Sequence, residues 1–164
     1  MPEHDGVVDY LSVAEMRLAD ARELLAPPTV DSGDPNAPTR HLRAAMYLAG
    51  YALECTLKAY IVTSEGARGF FEVVAKYKES ADLWKKVAAD AHDVKLLLAA
   101  SRLPADPTVW DEPRRRLWGQ CEWWNVAIRY HPKPHTDVSS ARGLVAVLEE
   151  MCQFINDERR KRSN

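Results

Sequence analysis

The sequence predicts an all-α fold: an antiparallel up-down bundle of four or five helices, with short helices inserted after the second. Three observations carry this expectation. Apolar residues recur at spacings of three and four along several stretches, the period of a helix that buries one face. No stretch shows the two-residue alternation of a half-buried strand. Proline, glycine and short polar residues mark the intervals between the periodic stretches. At 164 residues the chain reads as one domain, 1–164, long enough to bury a real core. A charged tail, 157–164, is expected to be flexible.

The first helix is expected over residues 6–26, where Val7, Leu11, Ala14, Leu18, Ala21 and Leu25 fall on one face; Pro27 and Pro28 stop it. A loop follows to Pro38. The second helix, from Thr39 as N-cap to about Val62, is the longest and has the widest apolar arc. Leu42, Met46, Ala49, Leu53, Leu57 and Tyr60 form one apolar line, and Ala45, Leu48, Ala52, Cys55 and Ala59 an adjacent one. Such a helix needs neighbours on at least two sides, and its small residues let them come close. Short helices are expected around Phe70–Tyr77 and Leu83–Ala88, and a third opening at His92 or Asp93. Asp111-Glu112-Pro113 starts another: an acidic cap, an acid in the first turn, and a proline where its missing N–H costs nothing. Its periodicity runs to about Tyr130. Pro132 and Pro134 then break the chain, and Thr136 or Asp137 caps the last helix, with Ala141, Leu144 or Val145, Leu148, Met151 or Cys152, and Ile155 on its inner stripe.

Composition narrows the functional classes. A formal charge of −2 gives no global pull toward nucleic acid or membrane, so any polyanion site must be local. No apolar run reaches the length of a bilayer span, and the first residues lack the apolar core of a signal peptide, so a cytoplasmic protein is expected. Cys55, Cys121 and Cys152 are far apart and lie on apolar stripes, which suits reduced core thiols. There is no CxxC or HExxH motif. His131, His135 and Asp137 offer few ligands at an unsuitable spacing, so neither metal nor cofactor is expected.

Two lines of residues are chemically rich. Arg43, Tyr47, Tyr51, Glu54 and Lys58 form a polar strip on the second helix, where Glu54 and Lys58 make an i, i+4 pair. Trp118, Asn125 and Arg129 share a line on the penultimate helix, and the two lines are expected to face each other. On the residues alone Arg129 is equally a helix-terminal cation paired with Glu122 or Glu54, and His135 an exposed loop histidine. Trp118 is core, or else a surface on which a base stacks.

The stretch AAMYLAGYALECTLKAYIV, with Glu54 and then Lys58, resembles the second helix of the HEPN domain, a small helical domain associated with nucleotides and RNA. HDVKLLLAA, with His92 and Asp93, is similar to the family's short third helix. NVAIRYHPKPH resembles its Arg-x(4–6)-His signature, with Arg129, five intervening residues and His135. The match covers about two-thirds of the chain in the right order. It implies a homodimer that binds a nucleotide, RNA or a partner protein, such as a nucleotidyltransferase-type antitoxin, in a toxin-antitoxin or defence setting. It also implies an alternative, a metal-independent endoribonuclease. There Arg129 would steady the charge on phosphorus and His135, or His131 in its place, would move a proton. Glu54 would orient Arg129, with Lys58, Tyr47, Tyr51, Trp118, Asn125 and Tyr130 around it. Tyr130, Pro132 and Pro134 depart from the catalytic pattern, and this Arg-Tyr-x-Pro variant occurs in members not established as nucleases. The binding module is therefore the first expectation.

Overall fold

The computed structural model describes residues 6–26, 37–106, 108–121, 124 and 137–162, and of 37–40 the backbone alone. Those residues form seven α-helices and one 3₁₀ turn, with no strand among them. The helices are α1 (Val7–Leu24), α2 (Ala37–Glu65), α3 (Phe70–Tyr77), α4 (Asp82–Ala89), α5 (Val94–Ser101), α6 (Glu112–Cys121) and α7 (Val138–Arg162); the 3₁₀ turn is Leu103–Ala105.

α2 is the hub. α1, α3, α5 and α7 all pack on it, as its wide apolar arc requires. From Ala52 to Val62 every residue of α2 is buried. α2 begins at Ala37, two residues before the expected cap, because Pro38 lacks only an N–H that a first turn leaves unbonded anyway. Its end is a Schellman motif. Gly66 takes a φ of 60°, its N–H bonds Thr63 O at 3.2 Å, and Ala67 N–H reaches back to Val62 O at 3.1 Å. Glycine alone takes that φ without a Cβ penalty.

α7 lies along α2 with Leu148, Met151 and Ile155 inside. It stays helical through Arg162, so the charged stretch from Asp157 onward is part of the helix up to that residue. Side-chain caps set the three later starts. Asp93 accepts from Lys95 N and Leu96 N, Asp111 from Arg114 N, and Asp137 from Ser140 N. α3 and α4 are joined by aromatics: Trp84 stacks on Tyr77 at 5.5 Å and lies 6.5 Å from Phe70.

α6 corrects an expectation. The periodicity of residues 113–130 reads as one helix, yet α6 ends at Cys121, and Trp124 is not helical. Trp124 N–H bonds Cys121 O at 2.9 Å, an i→i−3 contact. A tertiary contact described below holds Trp124 there. Among the described residues no helix is long and apolar enough to cross a membrane.

Candidate functional site

The polar strip of α2 is not a solvated face. Glu54 and Lys58 are both buried, and Arg43, Tyr47 and Tyr51 are half-buried. Lys58 Nζ donates to Glu54 Oε1 at 2.7 Å. The ammonium also lies 5.3 Å from the centre of the Phe70 ring on α3 and 5.8 Å from that of Tyr10 on α1. Two aromatic faces therefore replace part of the water that Lys58 loses. The pair is one that a low dielectric makes strong and that is costly to break.

A third partner arrives from outside α2. His92 Nδ1 lies 3.0 Å from the same Glu54 Oε1, with the His92 side chain 62% exposed against 2% for Glu54. The turn before α5 sets its position. His92 N–H donates to Asp90 Oδ1 at 3.1 Å, and Asp93 caps α5 immediately afterwards. A buried carboxylate thus holds a surface imidazole. The sequence places His92 at a helix start and in the stretch that resembles the family's third helix, with no partner for its ring. The signal was present in a histidine beside an N-cap aspartate, but the partner lies 38 positions away on α2.

One turn earlier on α2, Trp124 closes over the strip. Its ring packs on Gly50 so closely that a Cβ at that position would overlap the indole. It also lies 6.5 Å from Tyr47. The indole N–H is buried with no hydrogen-bond partner among the described residues. Tyr51, on the same face, has its phenol pKa raised by burial and by the neighbouring Cys55 and Glu54.

Trp118 sits elsewhere. It is buried with its ring 6.3 Å from Trp110, which in turn lies 6.0 Å from Phe154 of α7. α6 packs on α7 and not on α2. The expected opposition of the α2 strip and the Trp118 line is therefore not formed by α6; Trp124 is the described residue of that segment that reaches the strip. Asn125, Arg129, Tyr130, His131 and His135 lie outside the described residues.

Away from the strip, a cleft of about 220 Å³ opens between α1 and α7. Leu11, Leu18, Thr56, Cys152, Gln153 and Asn156 line it, and the Arg22–Glu149 ion pair straps one side. Its rim carries Glu15 and Glu149 beside Arg22 and Arg160, so it offers no single sign of charge to a ligand. The three thiols are buried and free, and burial first of all pushes each of them up to about 12. They are protonated at neutral pH and poor nucleophiles. Among the described residues no group of three or more His, Cys, Asp or Glu side chains could hold a metal ion.

The arrangement can orient an imidazole, pair a carboxylate with an ammonium in the interior, and seat an aromatic residue against a bare helix backbone. No protein-family model matches the chain, and no curated protein or solved structure is detectably similar to it.

Proposed function

We propose that the protein is a HEPN-like module that pairs as a homodimer and binds RNA or a nucleotide. A partner protein such as a nucleotidyltransferase-type antitoxin is its other class of ligand, and a toxin-antitoxin or defence system its setting. One observation carries the reading: two of the stretches on which the family resemblance rests meet at a single carboxylate. Glu54 and Lys58 come from one and His92 from the other. Trp124, the residue just before the third stretch, rests on the same strip one turn away. In this reading Arg129 supplies the bidentate contact to phosphate. Tyr130, Pro132 and Pro134 favour binding over cleavage.

The test is incubation of purified protein with end-labelled RNA in EDTA, beside Arg129→Ala and His135→Ala, read on native and denaturing gels. The expected result is a retarded band with wild type, weakened by Arg129→Ala, and intact RNA throughout. Cleavage by wild type that both substitutions abolish would establish the endoribonuclease instead. Neither retardation nor cleavage would sink both readings. Light scattering of the eluting protein checks the dimer; a monomer at micromolar concentration contradicts it.

A further inference from the structure

The cleft between α1 and α7 has a chemistry of its own. The Arg22–Glu149 pair, with the bond from Arg142 Nη2 to Leu25 O at 3.1 Å, holds α1 antiparallel to α7 at one end. Elsewhere the two helices touch little, and each packs on α2 instead. The cleft follows that seam away from the ion pair, with Thr56 of α2 and Cys152 of α7 in its lining. Two turns back along α1 from Arg22 stands Glu15. Two turns on along α7 from Glu149 stands Asn156, with Arg160 one turn further. Glu15, Asn156 and Arg160 all line the cleft, so its charged end lies about 10 Å along the helices from the ion pair.

Which of these groups are already satisfied decides what the cleft can take. Arg22 and Glu149 answer each other through both oxygens of the carboxylate. Glu15 makes no ion pair or hydrogen bond among the described residues. Arg160 spends one nitrogen on a 3.4 Å contact with Asp157 and is 62% exposed, so most of its fork is open. Asn156 Oδ1 accepts from Arg159 Nε at 3.0 Å, which leaves its amide N–H groups to donate. Thr56 Oγ1 donates to Ala52 O at 2.8 Å, which leaves its oxygen to accept. One end of the cleft thus offers an unpaired carboxylate beside a guanidinium and an amide. Between that end and the ion pair the wall is apolar, with Ala14 and the half-buried Leu18. A ligand of one sign meets a like charge there; a molecule with both charges on one carbon and a short apolar tail meets an opposite charge for each. The volume of about 220 Å³ lies below the roughly 300–1,000 Å³ of drug-sized sites and suits so small a ligand. We propose that the cleft binds a free α-amino acid with an aliphatic or thioether side chain. Its ammonium lies on Glu15 and Thr56, its carboxylate on Arg160 and Asn156, and its side chain along Ala14 and Leu18. The Arg22–Glu149 pair ends the apolar stretch and limits the length of that side chain. The site is separate from the α2 strip and does not depend on the nucleotide-binding reading.

The experiment titrates the full chain with L-leucine and L-methionine by isothermal calorimetry. Beside them run two leucine analogues that each lack one charge: isocaproate, without the ammonium, and isoamylamine, without the carboxylate. Both amino acids are expected to bind, and each analogue about tenfold or more weakly, the worth of a charged hydrogen bond. Glu15→Gln and Arg160→Gln should each weaken L-leucine about tenfold. Glu23→Gln, on the exposed flank of α1 outside the cleft, should leave it unchanged. All three positions are exposed, and an unaltered melting temperature without ligand checks that the variants fold. No binding of either amino acid at millimolar concentration overturns the proposal, as do analogues that bind as tightly as L-leucine. Equal affinity in wild type, Glu15→Gln and Arg160→Gln places any binding elsewhere and overturns it too. A second measurement needs no variant: methyl NMR should show Leu18 shifting on addition of L-methionine, and a Leu18 that stays still at saturation contradicts the site. None of these outcomes bears on RNA binding, which the gel experiment above reads separately.

Discussion

Glu54 and Lys58 show how one i, i+4 pair changes meaning with its surroundings. On an exposed helix such a pair contributes a few tenths of a kcal/mol. Here both side chains are nearly out of water, and rings from two other helices enclose the ammonium. Removing one partner leaves the other buried and uncompensated. Lys58→Ala and Glu54→Ala should each lower stability by ~3–5 kcal/mol in urea unfolding. The double change Glu54→Leu with Lys58→Met, which restores apolar volume, should recover most of that loss; double-variant stability no higher than that of either single would contradict it. Sequence alone leaves the pair open between a solvated salt bridge and a carboxylate that orients Arg129, because its spacing is the same in either setting. What buries it is Tyr10, Phe70 and the turn before α5, none of them within a helical turn of it in sequence.

Among the elements, α2 was the most legible. A 3.6-residue period sustained over so many positions leaves little choice of structure, and an apolar arc on more than one side demands several neighbours. The starts of α5, α6 and α7 were legible for a local reason: an aspartate accepts the helix's first free N–H groups. The end of α6 was not, because the residues beyond Cys121 keep a helical period while Trp124 is held by a contact with α2. That contact makes Gly50 an informative position. Alanine in a helix interior is ordinarily better than glycine by ~1 kcal/mol, yet a Cβ here meets the Trp124 indole. Gly50→Ala should therefore destabilise the protein by ~1–2 kcal/mol and change its near-ultraviolet circular dichroism. In a Trp124→Ala background the same substitution should become stabilising. A Gly50→Ala that stabilises the wild type would show that Trp124 leaves α2 at little cost. The candidate site was legible in part: Glu54 and Lys58 stand out as site residues, but His92 does so only as part of a helix start, since no local pattern pairs it with a residue on α2.

For the whole molecule, the thiols report whether the helices open together. Cys55 lies on α2, Cys121 on α6 and Cys152 on α7, all buried and all pushed up to about 12. At pH 8 iodoacetamide should label none of them in the native protein, and all three at one common rate set by global unfolding as urea rises. Earlier reaction of Cys152, which lines the cleft between α1 and α7, would instead reveal a local separation of those helices. The position of α2 has a further consequence in the order of synthesis. α2 emerges from the ribosome after α1, while α7, which covers another of its sides, comes only after α3, α4, α5 and α6 have been made. Throughout that interval an unusually apolar helix waits with its cover incomplete, so the nascent chain offers chaperones a binding site that the finished protein no longer has.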